Sequence, residues 1–160
     1  MESVAIFPGS FDPFTRGHAA IIKQAEPLFD KIIIAIGHNI TKRGILEETE
    51  RKRLIDELYT SNPKIECQIY TGLTGDFAQR VNAVAMIRGV RNTIDFEQEK
   101  ILESTNRRLY PSLTTVLMFT PSSVVDVSSS AVRELLAFGR DVSEFLPEGV
   151  DINNYMYVNK

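Results

Sequence analysis

The chain has 160 residues, 43% hydrophobic and 24% charged, ordinary values for a folded globular protein, so disorder as the dominant state is excluded. Lys and Arg number 18 against 21 Asp and Glu, a net charge of −3, which argues against a general nucleic-acid binder but leaves room for a local basic pocket. A single cysteine, Cys67, excludes an intrachain disulfide and a thiolate zinc cage.

Ser3–Phe7 reads as a short first strand, ended by Pro8-Gly9. Glu2 at the start of the chain and the brief apolar run before Pro8 do not suit a signal peptide. No run approaches the roughly 18 apolar residues of a membrane span, so a cytoplasmic protein is expected. Ile21, Ala25, Leu28 and Phe29 then repeat at helical spacing, and Pro27 inside that pattern predicts a kink or an early end. Lys31–Gly37 is a buried-strand signature. Glu47–Tyr59 predicts a helix with acidic residues in its first turn and an apolar stripe of Leu54, Ile55 and Leu58. Glu47–Arg51 and Glu48–Lys52 are spaced as i,i+4 pairs. Lys64–Tyr70 alternates as a third strand, and Ala83–Ile87 reads as a fourth. Asp95–Leu109 predicts a helix with Ile101, Leu102, Thr105 and Leu109 on one side. Thr114–Phe119 is a fifth strand, and Ser128–Phe138 a helix opened by a serine cap and closed at Gly139. The alternation predicts an α/β chain, a Rossmann-like doubly wound five-stranded parallel sheet with helices on both faces, in one domain over 1–160. In such sheets ligands bind beyond the carboxyl ends of the strands.

The residues at those ends carry the chemistry. Neither G-x-x-x-x-G-K-[ST] nor G-x-G-x-x-G is present, which disfavours a P-loop NTPase or an ordinary dinucleotide enzyme. The first strand runs instead into Gly9–His18. Gly9 allows a ligand near the backbone, Asp12-Pro13 signals a turn, and Gly17 leaves room beside Thr15 and His18 where a helix opens. Free N–H groups there form an anion site, and the helix dipole would keep His18 neutral. The plainer alternative is a turn with an exposed histidine. Arg88-Gly89-Val90-Arg91, expected just after the fourth strand, could fork onto phosphate oxygens or simply be solvated. Ser128, Ser129 and Ser130 suit phosphate, although taken alone they fit an ordinary helix cap better. Lys42, past the second strand, is a phosphate lysine or a solubilising one. Four such devices on one predicted edge of an acidic chain point to a site for more than one phosphate. His18 and His38 lack metal-ligand spacing, so no protein-held metal is expected. There is no G-x-S-x-G elbow, and Cys67 lies mid-strand, expected to be packed. Asp95, Glu97 and Glu99 read mostly as a solvated face, with Glu99 within reach of a nucleotide.

Pro8–His18, Lys42, Ile87–Arg91, Asp95-Phe96-Glu97-x-Glu99, Asn106-Arg107 and Ser128–Ser130 together resemble bacterial phosphopantetheine adenylyltransferases of the T-x-G-H nucleotidyltransferase superfamily. The resemblance runs to about Gly149 and implies transfer of AMP from ATP to 4′-phosphopantetheine, giving dephospho-coenzyme A and pyrophosphate in coenzyme A synthesis. It implies magnesium carried with ATP, dephospho-coenzyme A or coenzyme A as a product-like ligand, and a homohexamer. By the same resemblance, His18 and Ser10 contact the reacting phosphate region, and Lys42 and Arg88 hold the attacking phosphate. Gly9, Ser10, Phe11, His18, Arg91, Glu99 and Ser128–Ser130 hold ATP, while Ser10, Leu73 and Asn106 face the pantetheine substrate. Ser10 stands where relatives often carry Thr, and Gln98 where many carry Tyr. The chemistry fits independently: a phosphate nucleophile needs positioning and electrostatic stabilisation, and no serine or cysteine nucleophile. Two other readings stay open, a nucleotidyltransferase for another acceptor such as nicotinate mononucleotide or glycerol phosphate, and a non-catalytic nucleotide sensor.

Overall fold

Isoleucine-rich and other apolar runs form five strands, β1 (Val4–Gly9), β2 (Lys31–Gly37), β3 (Ile65–Tyr70), β4 (Ala85–Val90) and β5 (Thr114–Phe119). Five helices alternate with them: α1 (Arg16–Ala25), α2 (Glu48–Leu58), α3 (Thr74–Arg80), α4 (Thr93–Leu109) and α5 (Ser129–Ala137). The structure is a computed structural model that describes residues 1–157. All strand pairs are parallel, in the order β3-β2-β1-β4-β5, the expected α/β Rossmann-like sheet.

Both faces of the sheet are covered, which explains the unbroken apolar runs. Ala5, Phe7, Ile32, Ile34, Ile36 and Ile87 pack beneath α1, α2, α5 and a C-terminal segment contributing Val142, Leu146, Ile152 and Tyr155. Val4, Ile6, Ile33, Ala35 and Met86 face the other way, against Phe77 and Ala78 of α3, with Tyr110 and Leu113. Cys67 is buried in β3, as expected, and burial pushes its thiol up to about 12. No helix of the described residues is long and apolar enough to cross a membrane.

The order reverses between β1 and β4, and there the sheet opens. These strands pair only at Ala5–Ala85 and Ile6–Met86, whereas β1 pairs with β2 along its whole length and β4 with β5 likewise. Beyond Ile6 the two central strands diverge toward their carboxyl ends, leaving a cleft at the switch point. Pro8 is tolerated in a central strand for this reason. Its carbonyl is taken by the Arg88 side chain on the β4 side, at 3.2 Å. A strand residue points its N and its carbonyl to the same side, so the N–H that proline lacks falls where no ladder bond is needed.

Several local expectations are corrected. β1 runs through Pro8 and Gly9, and β4 through Arg88-Gly89-Val90, so only Arg91 lies past the strand. Pairing with β5 carries β4 beyond Ile87, where the apolar run ends. Helix α3 had no periodic signal of its own, although the alternation required an element there. α4 buries no residue, and Ile101, Leu102 and Leu109 of its apolar stripe are exposed. Glu47–Arg51 and Glu48–Lys52 do not pair. Arg51 turns inward to Asp12, Lys52 pairs with Asp56 and Glu48 with His38. Pro27 ends α1 early, as expected, in a 3₁₀ turn over Glu26–Leu28.

Candidate active site

Ten of the thirteen residues singled out from sequence line one cleft of about 370 Å³ at the mouth between β1 and β4. They are Gly9, Ser10, Phe11, His18, Arg88, Arg91, Glu99 and Ser128–Ser130. Thr15, Asp95, Gln98 and Thr120 join them. Lys42 does not. It lines an adjoining hollow of about 280 Å³ with Asp12, Asn39, Glu48, Arg51 and Arg133, and Ser10 borders both spaces. Leu73, the N-cap of α3, and Asn106 on α4 line neither. Among the described residues no group of three or more His, Cys, Asp and Glu could hold a metal ion.

His18 is set by its helix. Thr15 caps α1, and the His18 ring takes the place of the usual glutamate in a capping box: its Nδ1 accepts the Thr15 N–H at 3.0 Å. Nδ1 is therefore the unprotonated nitrogen, and the proton sits on Nε2, which is left as a donor. The ring is wedged between aromatic neighbours, with centroids 4.9 Å from Phe11, 5.3 Å from Phe14 and 6.1 Å from Phe7. Burial, followed by the nearby Arg91 charge, lowers its pKa from 6.5 to about 4. The sequence argument reached the same neutral state from the helix dipole; here burial is the leading cause, ahead of the Arg91 charge.

Phe11 itself is buried at φ 49°, a left-handed conformation unusual for a bulky residue. That turn brings its ring to His18 and over Gly9, where an added Cβ would lie 3.1 Å from the ring. Gly17 also serves the backbone: an added Cβ would lie 3.2 Å from the Val127 carbonyl. Its small size seats α1 against the segment before α5, and Gly17 also lines the cleft.

The first turn of α5 lines the same cleft as His18. The Ser128 hydroxyl accepts the Ala131 N–H at 3.1 Å, the Ser129 hydroxyl donates to the Pro13 carbonyl at 2.8 Å, and the Ser130 hydroxyl accepts from Arg133 at 3.1 Å. All three hydroxyls thus have a partner inside the protein, but those of Ser128 and Ser130 only accept, and each keeps its O–H as a donor. The N–H groups of Ser129 and Ser130 belong to a first turn with no intrahelical acceptor, and both residues line the cleft.

Both arginines are anchored on α4. Arg88 meets Glu99 in a two-point ion pair, Nε to Oε2 at 2.9 Å and Nη2 to Oε1 at 2.7 Å. Asp95 Oδ2 accepts from the Arg91 N–H at 3.0 Å and from its Nε at 3.1 Å. Asp95 and Glu99 sit one helical turn apart and so share a face, which corrects their reading as a mainly solvated run.

Sequence reasoning missed the link between the two hollows. Asp12 and Arg51 are buried, 5% and 7% exposed. The Asp12 carboxylate accepts the N–H groups of Ile45 and Leu46, each at 2.9 Å, while Arg51 donates to the Ser10 and Leu46 carbonyls at 3.2 and 3.0 Å. This pair ties the Ser10 turn to the base of the loop that carries Lys42. Asp12 looked like turn chemistry and Arg51 like a surface partner, and no spacing rule relates them.

Comparison with known proteins follows the same line. The Cytidylyltransferase-like family model matches residues 6–135. A phosphopantetheine adenylyltransferase of Porphyromonas gingivalis is 48% identical over 148 residues, 92% of this chain and 96% of that protein. The chain belongs to the phosphopantetheine adenylyltransferase family. A Bacteroides thetaiotaomicron protein of the same name is 45% identical over 149 residues, covering 93% of this chain and 98% of its own. Membership makes this chain a nucleotidyltransferase. Among solved structures, a bifunctional NMN adenylyltransferase/ADP ribose pyrophosphatase from Francisella tularensis, complexed with AMP and a manganese ion, superposes with a TM-score of 0.70 at 15% identity. It covers 95% of this chain, which spans 46% of that longer protein, and the likeness is one of fold.

Proposed function

We propose that the enzyme moves AMP from ATP to 4′-phosphopantetheine by direct in-line attack, releasing pyrophosphate and forming dephospho-coenzyme A. An oxygen of the pantetheine phosphate forms the new bond to the α-phosphorus while the bond to the β-phosphate oxygen breaks, with no covalent enzyme intermediate. The observation that carries this reading is one cleft in which a neutral His18 Nε2–H, the α5 N-terminus, Arg88 and Arg91 converge. These are donors aimed at phosphate oxygens, and the substrate supplies its own nucleophile. In this account His18 donates to the charge developing on the transferred group. Arg88 and Lys42 hold the acceptor phosphate from either side of Ser10. Arg91 and the Ser129 and Ser130 N–H groups hold the ATP phosphates, with Gly9 and Phe11 along the nucleotide. Leu73 and Asn106 would meet the pantetheine arm outside the cleft.

Asp95 and Glu99 already hold arginines, so magnesium is assigned to the nucleotide's own phosphates, where it would neutralise charge. The working form is proposed to be one nucleotidyltransferase domain per chain over 1–160, cytoplasmic and homohexameric, with coenzyme A or dephospho-coenzyme A able to occupy the site. Exposed apolar residues on α4 and β5, among them Ile94, Ile101, Leu109 and Phe119, support self-association.

A substrate panel tests the reading. With ATP and magnesium, pyrophosphate release should depend on 4′-phosphopantetheine and be negligible with nicotinate mononucleotide or glycerol phosphate. Preference for either of those would replace the acceptor assignment, and ATP binding without turnover on any acceptor would favour a sensor.

A further inference from the structure

Lys42 and Arg43 are exposed residues of the loop between β2 and α2. The neck of that loop is closed where His38 Nδ1 meets Glu48 Oε2 at 2.6 Å. Its base is fixed by Asp12, which accepts from the Ile45 and Leu46 N–H groups, and an added Cβ at Gly44 would overlap Asp12 and Arg51. A third contact comes from the far end of the chain. Past Gly149, where the family resemblance fades, the chain packs back against α2, with Ile152 and Tyr155 buried. The Asn154 carbonyl accepts from Arg53 at 2.7 Å, the Arg53 guanidinium lies 4.5 Å from the Tyr155 ring centre, and the Tyr155 hydroxyl donates to Glu57. Two residues on, the Arg43 guanidinium lies over the Tyr157 ring, 4.4 Å from its centre.

We propose that residues 152–157 form a strap on this loop, with Tyr157 a positioning residue that stacks on Arg43 and so holds the adjacent Lys42 at the hollow beside Ser10. This rests on reading Lys42 as a clamp on the acceptor phosphate. The strap supplies a fixed point that the exposed loop lacks. Tyr155 is set in the core and tied to two side chains of α2, so the Tyr157 ring hangs from it on a leash of two residues. Arginine is a favoured partner of an aromatic face, and at an exposed site such a contact shifts an equilibrium by about two- to fivefold. A loop released from it holds Lys42 in place for a correspondingly smaller fraction of the time, and the apparent affinity for the acceptor falls by the same factor. The groups assigned to the ATP phosphates, Arg91 and the first turn of α5, lie on other elements.

The test compares wild type, Tyr157→Ala, Tyr157→Phe, Lys42→Ala and the Lys42→Ala/Tyr157→Ala double variant, each full-length and confirmed folded by its thermal transition. Rates are measured at saturating ATP with 4′-phosphopantetheine varied, and ATP binding by calorimetry. Tyr157→Ala should raise the KM for 4′-phosphopantetheine by about two- to fivefold, with kcat and ATP affinity unchanged. Tyr157→Phe keeps the ring face and should behave as wild type. On the Lys42→Ala background Tyr157→Ala should raise KM no further, because Tyr157 acts through Lys42. The inference is overturned by a wild-type KM in Tyr157→Ala, by a lowered KM there, which would make the strap a brake, by a loss in Tyr157→Phe equal to that in Tyr157→Ala, or by losses that multiply in the double variant. Lys42→Ala alone reports on the underlying reading. A wild-type KM there removes the clamp and the inference together, whereas a raised KM there with none in Tyr157→Ala overturns the inference alone.

Discussion

The state of His18 can be tested through stability as well as chemistry. Its pKa falls from 6.5 to about 4 on folding. The folded protein therefore resists a proton that the unfolded chain accepts. The contribution is fully present above pH 6.5 and is lost as pH falls toward 4. Over the whole window a shift of this size is worth about 3 kcal/mol. At pH 5 the unfolded imidazole is almost fully protonated and the folded one about a tenth protonated, so about 2 kcal/mol is lost there. Other groups titrate over the same range, and a variant without the imidazole subtracts them. Urea unfolding of wild type and His18→Ala at pH 7.5 and pH 5 isolates the effect. On acidification, wild type should lose about 2 kcal/mol more than the variant. Equal losses, or an NMR titration of His18 with its midpoint near 6.5 in the folded protein, would refute the account of a desolvated ring accepting from Thr15.

Lys42→Ala and Arg88→Ala should each raise the KM for 4′-phosphopantetheine far more than they weaken ATP binding, and Arg88→Lys should also be damaging because a point charge cannot replace a planar fork; steady-state kinetics with each substrate varied checks both. Ser130→Pro removes one N–H at the start of α5 and should sharply reduce ATP affinity by calorimetry, while Ser130→Ala should be mild. Arg51→Ala leaves Asp12 buried without its ion-pair partner and should destabilise the protein by about 3–5 kcal/mol in urea unfolding.

The strands and the edge on which the site sits were legible because short isoleucine-rich runs such as Ile32–Ile36 suit strands covered on both faces. The serine cap at Ser128 was legible because capping is local chemistry, whereas the Thr15–His18 capping box was not foreseen. What depended on distant chain was not. The inward turn of Arg51 toward Asp12 joins residues 39 positions apart, and the end of β4 is set by its pairing with β5. α3 is only seven residues long, too short for a period to show. The α4 stripe was visible, but its periodicity could not tell a buried face from an exposed one. Within the site, residue types pointed to phosphate, whereas their partners inside the protein needed coordinates: serine oxygens engaged in capping and stapling, and α4 carboxylates holding arginines.

The central claim is that this cleft transfers AMP to 4′-phosphopantetheine, with the His18 Nε2–H stabilising the transition state. The most direct measurement is pyrophosphate release from ATP and 4′-phosphopantetheine by wild type and His18→Ala, at saturating substrates, with ATP affinity measured alongside. Wild type should turn over, and the variant should lose on the order of a hundredfold or more in kcat while binding ATP nearly as well. Near-normal turnover with poor ATP binding in the variant would make His18 a ground-state ligand and contradict the account.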